Sequence, residues 1–95
     1  MRLNRRERIV QFIGGHKDAA TSLNAWAKAI ESRDFKHLVD LKGTLGSADY
    51  VKPYVVFDIA GNKYRLIALI NYGLGIASVE RVLTHAEYDH GKWRR

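Results

Sequence analysis

The sequence contains no cysteine and only one proline, and none of its apolar stretches is long. Without cysteine, the chain forms neither disulfides nor thiolate metal sites. Its four histidines show no HxxxH or HExxH spacing, so we expect no metal site and no cofactor. No apolar stretch approaches the roughly 20 residues of a transmembrane helix, and the charged start MRLNRRERIVQFI lacks the apolar run of a signal peptide. We therefore expect a soluble, cytoplasmic protein that makes no contact with membranes.

Positive charge is what the sequence has in excess. The 16 lysines and arginines outnumber the 10 aspartates and glutamates, which gives a formal net charge of +6. A cationic surface favours a polyanionic partner such as RNA or DNA, through phosphate neutralisation and counterion release. The 95 residues suffice for one domain with a modest core and are too few for two, so we expect a single domain over residues 1–95.

The apolar pattern of the first half predicts two helices. From Leu3 to Ile13 the apolar residues fit one helical face, and arginines occupy much of the remainder. Asp18 is a candidate cap for a second helix, which should lie against a sheet. A shorter helix or turn is predicted over residues 35–41 after a possible Asp34 cap, and residues 43–49 are loop-like. The second helix carries apolar residues at the i, i+3, i+4, i+7 positions Leu23, Trp26, Ala27 and Ile30.

The second half of the chain predicts strands. Tyr54–Ile59 and Tyr64–Ile70 are rich in β-branched and aromatic residues, and Gly61-Asn62 between them is a plausible two-residue hairpin turn. A third strand over Ile76–Thr84 follows, and Ala86–Arg95 is predicted to be a short polar tail. The expected fold is therefore α+β, with two N-terminal helices packed on a twisted, mainly antiparallel sheet of three to four strands.

The predicted strand register brings several polar residues together. A two-residue first turn places Asp58 directly opposite Arg65. If the second turn centres on Leu74, Arg65 stands opposite Leu83, and His85 becomes its diagonal neighbour on the same face, roughly 7–8 Å away. That gap suits a phosphate held between the two side chains. A slip of one residue in the second turn would move His85 to the other face.

These residue types suit phosphodiester chemistry. RNA is cleaved without a metal when the 2′-OH attacks the adjacent phosphate, which leaves a 2′,3′-cyclic phosphate and a 5′-OH. His85 is the leading general acid or base, because the unperturbed pKa of histidine lies nearest neutrality. Arg65, helped by Arg81 or Lys63, would stabilise the developing negative charge with its planar fork of donors. Tyr88 would stack on a base or donate a hydrogen bond, and Asp89 would orient His85.

Structural roles remain open for the same residues. Arg65 can serve only as the ion-pair partner of Asp58, because such pairs are common at protein surfaces. His85 can be a solvated residue at a strand end. Arg81, a second candidate for contact with phosphate, can equally pair with a carboxylate across the sheet or remain solvated. Trp93 can be a loose tail residue or an interface anchor.

Three segments of this chain carry a family resemblance. The strings VVFDIAGNKYRLIALINY (Val55–Tyr72) and VERVLTHAEYDHGKW (Val79–Trp93), preceded by LKGTLGSADYV (Leu41–Val51), closely resemble the HigB family of type II toxin–antitoxin toxins. The resemblance covers about the last sixty residues and includes both the GNKYRL and the LTHAEYD signatures in order. The N-terminal half is compatible with the family but less distinctive.

The resemblance implies a RelE/ParE-like fold and an mRNA interferase that cuts messages at the ribosomal A site. It also implies neutralisation by a HigA-like helix-turn-helix antitoxin, through which the complex would contact DNA indirectly. RelE uses lysines on the strand before the signature arginine, but this strand carries Val56 and Asp58, so the general base is not identified. The resemblance places the signature arginine at Arg65 and the signature histidine at His85, next to Tyr88 and Asp89, and we expect these four residues to form the catalytic site. We expect Lys63, Arg81 and Lys92 to contact RNA, although the resemblance does not assign them.

Two other functional classes fit the same sequence features. A non-catalytic RNA- or ribosome-binding module would use the same charge and aromatic residues for backbone contact and stacking. A ParE-like poison of DNA gyrase shares the expected fold and acts by protein contact. An interferase requires Arg65 and His85 in one cleft, whereas the other two classes do not.

Overall fold

The structure is a computed structural model that describes residues 1–94. Within this range the chain forms five strands and four α-helices, with 3₁₀ turns at Lys17–Ala19 and Lys92–Arg94. In chain order the elements are β1 (Arg2–Asn4), α1 (Glu7–Gly15), α2 (Ala20–Glu31), α3 (Leu38–Thr44), β2 (Asp49–Val51), β3 (Tyr54–Ile59), β4 (Tyr64–Asn71), β5 (Ile76–Thr84) and α4 (His85–His90).

The five strands form one mixed sheet in the order β1-β5-β4-β3-β2, in which β1 runs parallel to β5 and all other neighbours are antiparallel. The helices α1 and α2 pack on one face of the sheet, and the main core lies between them, with Trp26 against Phe57. We call the opposite face, which bears Val56, Arg65 and Ile67, the open face; α4 and the C-terminal turn lie against it. None of the helices within residues 1–94 has both the length and the apolar character needed to cross a membrane.

The start of the chain differs from the sequence prediction. Residues 2–4 form an edge strand instead of the first turn of a helix, and α1 begins only at Glu7. Leu3 pairs with Ala77 and packs against the main core, so its agreement with a helical stripe was coincidental. Arg5 then adopts a left-handed backbone conformation with φ of 61°, which separates the strand from the helix. A strand of three residues is too short to show a period in the sequence.

The predicted number of strands was also too low. The sheet has five strands because both β1 and β2 were missed, and β2 begins at Asp49, within the segment predicted to be a loop. β2 pairs with β3 through a turn at Lys52 and Pro53. Both missed strands have three residues and lie at the sheet edges, where local sequence patterns are weakest.

Neither aspartate that was predicted to cap a helix does so. The side chain of Asp18 accepts hydrogen bonds from Tyr64 Oη at 2.7 Å and Lys63 Nζ at 3.1 Å, and α2 has no side-chain cap. At α3 the capping group is the His37 Nδ1 atom, which accepts from the backbone N–H of Asp40 at 3.2 Å. The Asp18 carboxylate therefore binds residues distant in the chain instead of the backbone N–H groups at the start of α2.

The C-terminal segment forms a helix where a polar tail was predicted. Thr84 and Glu87 form a reciprocal capping box at the start of α4. At its end Gly91 adopts a left-handed conformation with φ of 73°. The sequence carried both signals, as T-x-x-E and a following glycine, but α4 has no apolar stripe that would reveal a helix by periodicity.

The hairpin register confirms the two predicted pairs. Asp58 lies opposite Arg65, and Arg65 lies opposite Leu83. The second turn is nevertheless centred half a residue earlier than expected, because Asn71 pairs with Ile76. The expected register is restored by a β-bulge, in which one residue between Val79 and Arg81 has no partner on β4.

That bulge residue is Glu80, and it decides which β5 side chains reach the open face. Val79 and Val82 pack with the main core. Leu83 packs with a cluster on the open face, which we call the open-face cluster and whose buried residues are Val56, Ile67 and Trp93. Without the extra residue, strict alternation would place Arg81 and Leu83 on the core side together with Val79. The bulge therefore delivers Arg81 to the open face.

Candidate functional site

The side chains of His85 and Asp89 are in contact on α4. His85 Nδ1 lies 2.9 Å from Asp89 Oδ2, four residues later in the helix. Because a carboxylate only accepts hydrogen bonds, this contact places a proton on Nδ1 and leaves Nε2 of the neutral ring as an acceptor. The His85 side chain is 44% exposed, so Nε2 is available to a bound molecule. The pair therefore has the arrangement of a histidine oriented for proton transfer.

Arg65 is nearly buried and already engaged. Its Nε lies 3.2 Å from Asp58 Oδ1, and its side chain is only 11% exposed. Nη1 donates to the backbone oxygens of Tyr64 at 3.1 Å and Asn62 at 3.4 Å, and Nη2 donates to the Asn62 side chain. Three hydrogen bonds and the ion-pair contact with Asp58 thus engage at most four of its five N–H groups, which leaves at least one for a ligand. Both roles that the sequence left open for Arg65 meet in this geometry: it pairs with Asp58 and keeps at least one donor.

His85 does not extend β5 as a strand residue, which corrects the predicted placement. Its backbone N–H still bonds to Lys63 O at 3.0 Å, one step beyond the pairing of Tyr64 with Thr84, but the chain enters α4 at that point. Within residues 1–94 no hydrogen bond or ion pair joins the side chains of Arg65 and His85. Arg65 instead contacts Tyr88, which lies on the same helix as His85 and whose ring centroid is 5.6 Å from Arg65 Cζ.

Lys63 points away from this group of residues. Its Nζ atom pairs with Asp18, which lies in the 3₁₀ turn before α2 on the helical side of the sheet. Hydrogen bonds from Tyr64 and Lys63 lower the pKa of Asp18, and the same bond to Asp18 raises the pKa of Tyr64. Lys63 is 65% exposed, and its placement separates it from the other predicted RNA contacts.

Arg81 and Lys92 line a groove on the open face. Two adjoining hollows of about 340 and 320 Å³ share Arg81, Leu83 and Trp93, and we call them together the Arg81 groove. Neither Arg81 nor Lys92 forms an ion pair with any residue that the structure describes. By contrast, the three arginines nearest the start of α1 are paired: Arg5 and Arg8 with Glu80, and Arg6 with Glu31.

The two hollows of the groove differ in the side chains that line them. The first hollow is lined additionally by Arg8, Tyr54, Ile67, Glu80 and Val82. The second is lined additionally by Glu87, His90 and Lys92. The first hollow presents mostly polar surface, and the second presents polar and apolar surface equally. With the unpaired charges of Arg81 and Lys92, this arrangement can hold a phosphate backbone.

α4 separates the groove from the His85–Asp89 pair. At 100° per residue, Glu87 and His90 lie on one side of the helix, and His85 and Asp89 lie on the other. A helix of six residues is only about 9 Å long, so an extended strand crossing it would reach both sides. Tyr88 points to the sheet between them and stacks on Trp93 at a centroid distance of 5.1 Å.

Sequence patterns did not identify five polar or aromatic residues of the groove: Arg8, Tyr54, Glu80, Glu87 and His90. Arg8 belongs to the arginine-rich first segment, but the fold that brings it beside Glu80 is not visible locally. A signal for Glu80 did exist, because apolar residues at positions 79, 82 and 83 break the alternation expected of a regular strand. Among residues 1–94, no cluster of three or more histidine, aspartate or glutamate side chains is placed to hold a metal ion.

Comparison with known proteins shows the family to which the chain belongs. The chain is 32% identical over 83 residues to the mRNA interferase toxin HigB of Escherichia coli strain K12, covering 77% of this chain and 80% of that protein. Proteins named mRNA interferase HigB from Escherichia coli O157:H7 and Shigella flexneri match to the same extent. Residues 19–91 match the family described as HigB toxin, the RelE-like toxic component of a toxin–antitoxin system. The chain therefore belongs to the HigB toxin family.

Proposed function

We propose that this protein is the toxin of a type II toxin–antitoxin system and acts as a ribosome-dependent mRNA endoribonuclease. Membership of the HigB family supports the toxin role, and its relatives carry the name mRNA interferase. The observation that carries the proposal is the His85–Asp89 pair beside a groove with unpaired cations. Together they supply a proton-transfer group and a surface for a phosphate backbone.

The proposed reaction is attack of a ribose 2′-OH on the adjacent phosphate. The 2′-OH loses its proton as the new O–P bond forms, and the 5′-oxygen gains a proton as its bond to phosphorus breaks. His85 performs one of these two transfers through Nε2, and Asp89 stabilises the ring when it is charged. This chemistry uses side chains alone, so we propose that it needs no metal.

Arg65 has a double role in this proposal. Its free N–H can contact a phosphate oxygen while its other donors fix the turn at Asn62 and the carboxylate of Asp58. Its guanidinium also supports the ring of Tyr88, which lies between the groove and His85. Loss of Arg65 would therefore remove positive charge and misplace α4 together.

The message would lie along the Arg81 groove, with Arg81 and Lys92 neutralising its backbone. The proposed partners are mRNA on the ribosome in the cytoplasm and a HigA-like helix-turn-helix antitoxin. Contact with DNA would be indirect, through the toxin–antitoxin complex. Lys63 remains a proposed RNA contact, at a position nearer the helical face than the groove.

Single-turnover cleavage on ribosomes programmed with a defined message tests the proposal. His85→Ala should slow cleavage about 10²–10⁴-fold, because proton transfer is lost. His37→Ala is the matched control, because it removes a histidine that lines neither hollow of the groove and does not lie on α4, and it should cost far less. The products should carry 5′-OH and 2′,3′-cyclic phosphate ends, and a chelator level that spares ribosomal magnesium should not stop the reaction.

Equal rates for His85→Ala and the unmodified protein would refute the assigned role of His85. Binding to ribosomes without any cut would favour a non-catalytic RNA-binding module. Inhibition of DNA gyrase without any cut would favour a gyrase poison. Each of these alternatives therefore has its own positive result.

A further inference from the structure

The larger hollow of the Arg81 groove has a carboxylate in its wall. The β-bulge places Glu80 and Arg81, which are consecutive in the chain, on the lining of the same hollow of about 340 Å³. Most of its open surface is polar; Ile67 and Leu83 lie beneath it, and Tyr54 and Trp93 complete the wall. β-Bulges near active sites commonly redirect a side chain. Here the redirected residue is an anion within a surface suited to a polyanion.

Glu80 is held in place but keeps an unused oxygen. Oε2 lies 3.2 Å from Arg5 Nη1 and 3.9 Å from Arg8 Nη1. Arg8 also donates to the backbone oxygen of Glu80. The Glu80 side chain is 22% exposed, and Oε1 receives no hydrogen bond from residues 1–94. The carboxylate is therefore fixed in position, and a residue that lines the hollow has free acceptor capacity.

An ionised carboxylate selects among nucleobases because it only accepts hydrogen bonds. It would repel a phosphate, so a ligand of this hollow must offer donors to Glu80 while Arg8 and Arg81 meet its negative charge. Guanine presents two adjacent donors, N1–H and the N2 amino group. Adenine and cytosine place an acceptor beside their one amino group, and uracil flanks one donor with two acceptors.

We infer that this hollow binds a guanine base of the message and that Glu80 is a specificity-determining residue. The base lies beside the aromatic residues Tyr54 and Trp93, and its Watson–Crick edge donates to the Glu80 carboxylate. The inference rests on the proposed RNA-cleaving function, and it adds a base preference to it. The competing explanation is that Glu80 only ties α1 to β5 through Arg5 and Arg8.

Nucleotide binding to the full chain tests the inference without cleavage. The probes are guanosine, inosine and adenosine 5′-monophosphates, followed through the indole N–H signal of Trp93 with that of buried Trp26 as the internal reference. The three probes share one phosphate, so backbone attraction cancels in the ratio of their affinities. We expect guanosine monophosphate to bind about ten-fold or more tightly than adenosine monophosphate, with inosine monophosphate between them, because charged hydrogen bonds are lost stepwise.

Glu80→Gln should remove this preference and shift it toward adenosine monophosphate, because an amide matches the donor and acceptor of adenine. Glu31→Gln is the matched control: it removes the same charge from an ion pair with Arg6, and it should retain the guanine preference. Arg5→Gln tests the purely structural explanation. It weakens the tie between α1 and β5 but leaves Glu80, so the base preference should survive.

A ratio of guanosine to adenosine affinity that Glu80→Gln leaves unchanged would overturn the inference, as would equal binding of all three probes to the unmodified protein. Neither result touches the proposed cleavage, which the ribosome assay decides separately. Programmed ribosomes carrying messages that differ only at one base around the cut provide the second arm. There the unmodified protein should favour guanine, and Glu80→Gln should not.

Discussion

Replacing Trp93 by alanine should release α4 from the sheet. α4 has six residues, no buried residue of its own and is too short to be stable alone. Trp93 holds it by stacking on Tyr88 and by donating from Nε1 to Tyr88 O at 3.0 Å, with its own ring only 5% exposed. The open-face cluster contains just two other buried residues, Val56 and Ile67, among those that the structure describes.

The loss of unfolding free energy caused by Trp93→Ala follows from those contacts. Truncation of a buried tryptophan to alanine typically costs about 3–5 kcal/mol, and we expect the lower end because the cluster is small. A loss of about 3 kcal/mol corresponds to roughly a hundred-fold fall in protection where exchange requires α4 to open. His85 would lose its fixed position, so cleavage should fall as well.

Amide hydrogen exchange followed by NMR provides the measurement. The Gly91 N–H, which bonds to Tyr88 O, should lose about a hundred-fold protection, whereas Leu66 in the centre of β4 should lose less. Trp93→Phe keeps a ring and removes only the indole donor, so it should cost about 1 kcal/mol. Unchanged protection of Gly91 in Trp93→Ala would refute the claim that Trp93 holds α4.

Three further changes have defined outcomes. Glu87→Ala breaks the capping box and should cost about 0.5–2 kcal/mol in thermal denaturation, with slower cleavage because His85 begins the same helix. Arg65→Ala should lower stability in urea unfolding by about 1–3 kcal/mol as well as activity, and Arg65→Lys should rescue little of either; full rescue would argue against the fork of bonds. The Arg33 guanidinium holds the pKa of Asp40 at about 2, so the stability that this pair contributes is present above pH 4 and is lost as pH falls toward 2. Asp40→Asn should therefore flatten the plot of melting temperature against pH in that range, and an unchanged slope would refute this prediction.

The hairpin at the centre of the site was predictable from sequence. Gly61 and Asn62 do lie at the tip of the first turn, and the pairing of Asp58 with Arg65 follows from that turn alone. The pairing of Arg65 with Leu83 was also predicted, but from a turn centred on Leu74. The structure reaches that pairing through a shorter turn and a bulge, so the agreement came from two errors that cancelled.

Other features depend on contacts between residues distant in the chain. No local pattern shows that the Arg65 side chain is engaged by Asn62, Tyr64 and Asp58. These partners are set by the fold of the turn and of the adjacent strand. The strand at residues 2–4 exists only because β5 offers it a partner. The helix at His85 differs in kind: its capping box and terminal glycine were readable in the sequence, although apolar periodicity gives no sign of it.

Mapping of 5′-OH ends on cellular mRNA after brief expression of the protein tests the central claim most directly. We expect growth to stop, and new ends to appear within translated regions and in phase with codons. Coexpression of the antitoxin or the change His85→Ala should abolish these ends. Growth arrest without new 5′-OH ends, or ends that His85→Ala leaves intact, would contradict the proposal that this chain cleaves mRNA on the ribosome with His85 in its active site.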